Sequence, residues 1–405
     1  MKAKVILKEK FYENQVEAAN KVMAGIKDDK VVSIVLATTQ SGKTGTMACV
    51  AEQWMKLYNK KVYVITGLSS IDWKIQTKKR FSEDVLVLHR NDLKKKSLDL
   101  SHALVLVDEV QLACKVNMSI DLLLFNNGAK DFDFLVENKT RIVMVSATPN
   151  GVLEDLFKWS RQRVNVVVQN NGPRYIGLES LLKQGRIMQA KDLHVISSKV
   201  MSEATGVAKE MLQDRYDMSL DAIKELKAWM ERYKEPFYHI IRTPYSDGGN
   251  DVRLRFVEVF GELFDYKQCD CQTDHEIMKI IKKKPEKATF LFIKEQLRCA
   301  ITLTPKNHIG VLYDRISNFD NVMVQGLAGR CTGYDVHDKM VVFTALKSIK
   351  KYVEDVESGF LNLNISYCGK GETFIHPRGF DDESSIDSDV SSCDGGACGP
   401  HTTAL

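Results

Sequence analysis

Apolar residues fall along this chain in short, nearly unbroken runs of four to six: Val31–Leu36, Lys61–Thr66, Val85–Leu88, Ala103–Val107, Arg141–Val145 and Val164–Val168. Strands buried on both faces of a parallel sheet need runs of this kind, whereas a half-exposed strand alternates apolar with polar. Between the runs the apolar spacing is helical, as in Phe11–Met23, where Phe11, Gln15, Ala18, Ala19 and Val22 share a face, and in Gly45–Tyr58. Strands alternating with helices predict an α/β sheet with helices on both sides. From Asn170 the runs stop, and Leu178–Arg186 and Ser202–Tyr233 read as helices with charged faces. Pro236 marks the return to strands. A second set then repeats the pattern at Tyr238–Ile241, Thr289–Ile293, His308–Leu312 and Met340–Phe343. The expected organisation is a first domain over 1–169, a helical linker or lead-in over 170–235, a second domain over 236–370 and a tail over 371–405.

Composition narrows the class without choosing a function. With 44% hydrophobic and 27% charged residues, the 405-residue chain has ample apolar material for two cores. No run approaches the roughly 18–20 residues of a membrane helix. The start, Met1-Lys2-Ala3-Lys4, leads into charged sequence rather than a signal-peptide stretch. An intracellular protein, cytoplasmic or nuclear, is expected, with no membrane partner. Its nine cysteines lack a repeating framework, which suits reduced thiols. Cys269-Asp270-Cys271 with His275 is either half a metal site or ordinary structural sequence, since no second pair sits at zinc spacing.

The net charge of +4 conceals an asymmetry. Gly371–Leu405 holds seven acidic residues (Glu372, Asp381, Asp382, Glu383, Asp387, Asp389, Asp394) against Arg378 alone, which leaves the body of the chain at +10. A basic body suits a polyanion, and the Asp/Ser/Gly-rich tail suits a disordered segment open to protein partners.

The first apolar run delivers the chain into Ala37-Thr38-Thr39-Gln40-Ser41-Gly42-Lys43-Thr44, just ahead of a helical pattern. This reads as a phosphate-binding loop. Backbone N–H groups of Ser41 and Gly42 and the first turn of the helix cradle phosphate oxygens, Lys43 reaches the β- and γ-phosphates, and Thr44 holds Mg²⁺ through its hydroxyl. Ala37 stands where the general pattern has a first Gly.

Further along, Asp108 and Glu109 close the run Ala103–Val107. Carboxylates at the carboxyl end of a buried strand stand where open α/β sheets bind ligands. Asp108 would join the Mg²⁺ shell and Glu109 would orient the attacking water. Ser146-Ala147-Thr148 ends another strand and could bridge that site to the rest of the protein, though such a triplet says little alone. Gln15, upstream of the loop, carries an amide that can pair with both the donor and the acceptor edge of adenine.

In this order, and with Gln325 and Gly329-Arg330 after them, these residues resemble helicase superfamily 2, the DEAD/DEAH-like nucleic-acid-dependent ATPases. The resemblance covers about residues 8–340. It implies two RecA-like domains, each a mainly parallel sheet flanked by helices, with an ATP cleft between them and a nucleic-acid strand across both. It also implies strand contacts near Thr66, Gly67 and Arg298, coupling through Ser146 and Thr148, and an arginine, Arg330, that reaches the γ-phosphate beside Gln325. Two departures stand out: Gln325 is one residue further from Gly329-Arg330 than is usual, and Gly333 stands where a second arginine is common. The compact plan looks like helicase-like proteins of phages and large DNA viruses.

The expectation is therefore an ATP- and Mg²⁺-dependent helicase or translocase, monomeric and acting on DNA in preference to RNA, in a host cell if viral. The alternatives are a nucleic-acid-stimulated ATPase that does not unwind and a degenerate helicase fold serving as a nucleic-acid-binding scaffold.

Overall fold

The computed structural model describes residues 10–68, 70–93, 98–109, 128–129, 132–150, 153, 163–193, 198–243, 248–269, 274–294, 297, 302–362 and 364–366; the side chains of residues 72, 198–200, 248–250 and 274–275 are outside this description. The expected tail and Arg298 lie outside the described residues. Contacts divide the chain into two compact units. One holds the residues up to Leu36 with Lys43–Gln169, and the other holds Ala37–Gly42 with Asn170–Ser366.

Both units are built on a six-stranded, all-parallel sheet flanked by helices, the α/β class that the apolar runs require. In the first unit the strands are β1 (Val32–Leu36), β2 (Val62–Thr66), β3 (Leu86–Leu88), β4 (Leu104–Asp108), β5 (Arg141–Ser146) and β6 (Val164–Val168), in the order β3-β2-β4-β5-β1-β6. β1, β2 and β4 are buried at every position, which is why they read as unbroken apolar runs. The helices α1 (Glu13–Lys27), α2 (Lys43–Tyr58) and α3 (Ile71–Lys78) belong to this unit.

Register decides where the chemistry gathers. Leu36 pairs with Ser146, Val145 with Asp108 and Asp108 with Thr66, so all four strand ends lie level at one edge of the sheet. That edge is the carboxyl edge, outside which ligands of open parallel sheets bind.

In the second unit the strands are β7 (Ile187–Gln189), β8 (Tyr238–Thr243), β9 (Asp265–Cys269), β10 (Thr289–Lys294), β11 (Ile309–Tyr313) and β12 (Val341–Thr344), in the order β7-β12-β11-β8-β10-β9. The core packs Phe290 and Phe292 of β10 against Phe256 and Phe260 of α5 (Gly248–Phe260), with Phe260 and Phe290 ring centres 4.7 Å apart. Ala222, Ile223, Leu226 and Met230 of α4 (Gly206–Met230) fill the same core. The stretch read as a helical lead-in thus supplies both the edge strand β7 and a core helix to this sheet. No helix among the described residues is long and apolar enough to cross a membrane.

Candidate active site

β4 ends on Asp108, which is 3% exposed, and Glu109 follows at 2%. Burying two carboxylates side by side costs free energy unless something compensates. Burial first, and the Glu109 charge second, push the Asp108 carboxyl well above the ordinary range, against the opposite pull of Lys43 and of the Trp73 indole. Lys43, the first residue of α2, sets its Nζ 3.6 Å from Glu109 Oε1. Trp73 Nε1 donates to Asp108 Oδ2 at 2.8 Å. The other oxygen, Asp108 Oδ1, is buried and has no hydrogen-bond partner.

Such an orphaned acceptor, in a site that already tends toward excess negative charge, fits a divalent cation. Mg²⁺ is held by one or two carboxylates together with substrate phosphates and waters. Thr44, half-buried in the first turn of α2, is the hydroxyl available beside Lys43.

Glu109 sits at φ +51°, the left-handed region that a side chain enters only at a cost of order 1 kcal/mol. Its N–H is given to Val145 O at 3.0 Å, which pins the turn to β5. β5 ends on Ser146, whose hydroxyl accepts the Thr148 N–H at 3.1 Å, with both side chains buried. The expected coupling pair is therefore one closed turn, one strand away from Asp108. Thr66 ends β2 with its hydroxyl turned inward to the Leu68 N–H at 3.3 Å, and Gly67 is buried too.

Gln15 is 4% exposed on α1. Its Oε1 accepts the Tyr12 N–H at 3.1 Å, closing the N-terminus of the helix, and its amide lies over Gly45 of α2. A Cβ on Gly45 would stand 2.4 Å from Gln15 Nε2, so this glycine is what allows the close approach.

In the second unit, Ser41 Oγ donates to Thr38 O at 2.8 Å, and the loop turns through Gln40 at φ +53° and Gly42 at φ +99°. Gln40 Nε2 donates to Gly329 O at 3.0 Å, and Thr39 Oγ1 lies 2.9 Å from Thr332 Oγ1. Between Gln325 and Gly329 the helix is kinked, with Gly326 at ψ −141°, outside the helical range. A Cβ on Gly326 would come 2.4 Å from Asp314 Oδ2. Arg330 is 4% exposed and folds back on this turn, donating from Nη2 to Gln325 O at 3.0 Å and from Nε to Gly326 O at 3.4 Å.

Two neighbours of these residues were not singled out for the site by the sequence. The bond of Trp73 to Asp108 joins positions 35 apart, a separation that no local pattern bridges. Lys306 is 1% exposed, and its Nζ meets Gln40 Oε1 at 3.0 Å, Thr332 O at 2.7 Å and Asp335 Oδ1 at 2.6 Å. It lies 3.0 Å from where a Cβ on Gly333 would be. A lysine followed by Asn in a loop carries no sequence signal of such a place.

Two solved structures are similar to parts of this chain. The Escherichia coli DEAH/RHA helicase HrpB is 13% identical, with a TM-score of 0.48 and coverage of 82% of this chain and 43% of that one. A second structure, the E. coli DExH-box NTPase HrpB, is 12% identical, with a TM-score of 0.49 and coverage of 83% and 42%. The chain spans less than half the length of these solved proteins. A particular relative by sequence is an uncharacterized protein of Acanthamoeba polyphaga mimivirus, 24% identical over 393 residues that take in 87% of this chain and 91% of that protein. No protein-family profile matches the chain.

Proposed function

We propose that this protein is an ATP-dependent motor on nucleic acid, a helicase or translocase of superfamily 2 type, with DNA favoured over RNA as its track. The observation that carries the reading is the buried, half-satisfied Asp108 carboxylate beside the Lys43–Glu109 pair at the carboxyl edge of a parallel sheet. A structural ion pair has no use for an unpartnered buried oxygen, which costs free energy until a ligand takes it.

In this reading Lys43 and the N–H groups of Ser41, Gly42 and Thr44 bind the phosphates, while Thr44 and Asp108 hold Mg²⁺. Glu109 orients the attacking water. Mg²⁺, when bound, neutralises charge on the β- and γ-phosphates. Arg330, with Gln325, is assigned to the γ-phosphate, where a guanidinium can be worth about 10³-fold or more in rate. Gln15 is assigned to adenine, Ser146 and Thr148 to coupling, and Thr66, Gly67 and Arg298 to the strand. The resemblance of the ordered motifs supports these roles.

Steady-state ATP hydrolysis, with and without single-stranded DNA and RNA, tests the proposal beside a Glu109→Gln control. Stimulation by one polymer that disappears in the control supports a coupled motor and names its track. Hydrolysis no higher than the control, with nucleic acid still bound, would leave a scaffold instead.

A further inference from the structure

Trp73 does more than fill the core. It is 1% exposed, and α3 places it inward while its neighbours Ile71 and Ile75 stand 65% and 49% exposed. The helix is fixed at both ends of this residue's reach. Ser70 Oγ accepts the Trp73 backbone N–H at 3.1 Å, and Lys74 Nζ bonds Asp92 Oδ2 at 2.7 Å. Asp92 in turn accepts the His89 N–H at 3.1 Å. From this fixed position the indole N–H takes Asp108 Oδ2 at 2.8 Å and leaves Oδ1 without a partner.

A carboxylate with one oxygen occupied can offer a cation only the other. Mg²⁺ needs near-ideal octahedral geometry and takes single carboxylate oxygens, whereas Ca²⁺ is larger and readily accepts both oxygens of one carboxylate. We propose that Trp73 is a positioning residue that restricts Asp108 to one-oxygen coordination and thereby sets a preference for Mg²⁺ over Ca²⁺ at the nucleotide site. The proposal rests on the nucleotide reading above and adds to it the basis of metal choice. Partners that orient a ligating side chain typically alter metal affinity about 10–100-fold when removed. The indole is aromatic, buried and a donor only, so it cannot itself compete for the cation.

Trp73→Phe keeps most of the buried ring and removes the N–H. The affinity of wild type and variant for Mg²⁺ and for Ca²⁺ is measured in the presence of a fluorescent, non-hydrolysable ATP analogue, with the metal-free affinity for the analogue as reference. The expected result is a loss of about tenfold for Mg²⁺ with Ca²⁺ affinity held or raised, and an unchanged metal-free affinity. A ratio of Mg²⁺ to Ca²⁺ affinity equal to that of wild type overturns the proposal, because a merely structural role would move both metals together. A wild type that does not bind the analogue overturns the nucleotide reading as well, and one that binds it with no dependence on metal overturns the proposal alone.

A second measurement needs no variant. The chain has four tryptophans, so four indole N–H signals are followed in the wild-type protein as Mn²⁺ is added to the analogue complex. Selective broadening of one signal is expected, and broadening of none overturns the proposal.

Discussion

Arg242 Nη1 donates to Asp314 Oδ1 at 2.7 Å with both side chains nearly sealed from water, and the second oxygen of that carboxylate accepts the Leu327 N–H at 2.7 Å. The pair therefore does not end at itself. It reaches into the kinked turn that carries Gln325 and against which Arg330 folds back. Removing one partner of a buried pair leaves an uncompensated charge and costs about 3–5 kcal/mol. Asp314→Ala is expected to lose that much stability in urea denaturation. Replacing both partners by apolar residues is often neutral for a buried pair, but here it still strands a buried N–H, worth about 1–3 kcal/mol. A double variant as stable as wild type would show that the turn does not depend on Asp314.

His239 lies on β8 at 1% exposure, with Nδ1 accepting the Val311 N–H at 3.1 Å, and burial pushes its pKa down to about 3. In the unfolded chain a histidine titrates near 6.5. Below that pH the unfolded state binds a proton that the folded state refuses. Stability contributed by the neutral ring is thus complete above about pH 6.5 and falls as the pH drops toward the folded value, at about 1.4 kcal/mol per pH unit. His239→Asn keeps an acceptor near the position of Nδ1 and cannot titrate. Its urea midpoint should be flatter than that of wild type between pH 6.5 and 4; an identical pH slope would remove His239 as the cause.

The contact between Gln15 and Gly45 ties α1 to the helix that follows the proposed phosphate loop. Gly45→Ala would place a methyl 2.4 Å from the Gln15 amide nitrogen, so that side chain must swing aside and give up its bond to the Tyr12 N–H. Overpacking of this kind costs about 1–3 kcal/mol. The melting temperature should fall, and pairing with Gln15→Ala should recover part of the loss because the clashing amide is gone. Additive losses in the double variant would mean that the two residues do not meet.

How much of this was legible in sequence depended on burial. β1, β2 and β4 stand within a residue of their apolar runs because a strand covered on both faces has no polar position to disguise it. β7 and β9 escaped because both are edge strands of the second sheet. β9, Asp-Tyr-Lys-Gln-Cys, is exposed at alternate positions and half-buried between them until Cys269, so it never forms an apolar run. The irregular spacing before Gly329 was visible, but the kink at Gly326 lies against Asp314, a contact that no local pattern encodes. Lys43, Asp108 and Glu109 were legible as motif positions. The pairing of Trp73 with Asp108 was not, because it depends on how α3 returns over the strand ends.

Lys43 and Glu109 face each other at 3.6 Å but should fail in different ways when altered. Lys43 supplies a compact positive charge at the first turn of α2, and its removal takes away the counter-charge of Glu109 and, on the proposed reading, the side-chain contact to phosphate. Lys43→Ala should therefore lose nucleotide binding itself, seen as a dissociation constant raised by about tenfold or more for a fluorescent ATP analogue, in line with a lost charge-assisted bond. Glu109→Gln keeps shape and hydrogen-bonding reach while removing the charge proposed to polarise water. It should bind the analogue at least as well as wild type, because a negative charge near the phosphates has gone, while hydrolysis falls by about 10²–10⁴-fold. The decisive comparison is binding against turnover in the same two proteins. If Glu109→Gln lost binding as completely as Lys43→Ala, Glu109 would be a structural partner of the lysine rather than the group that acts on water.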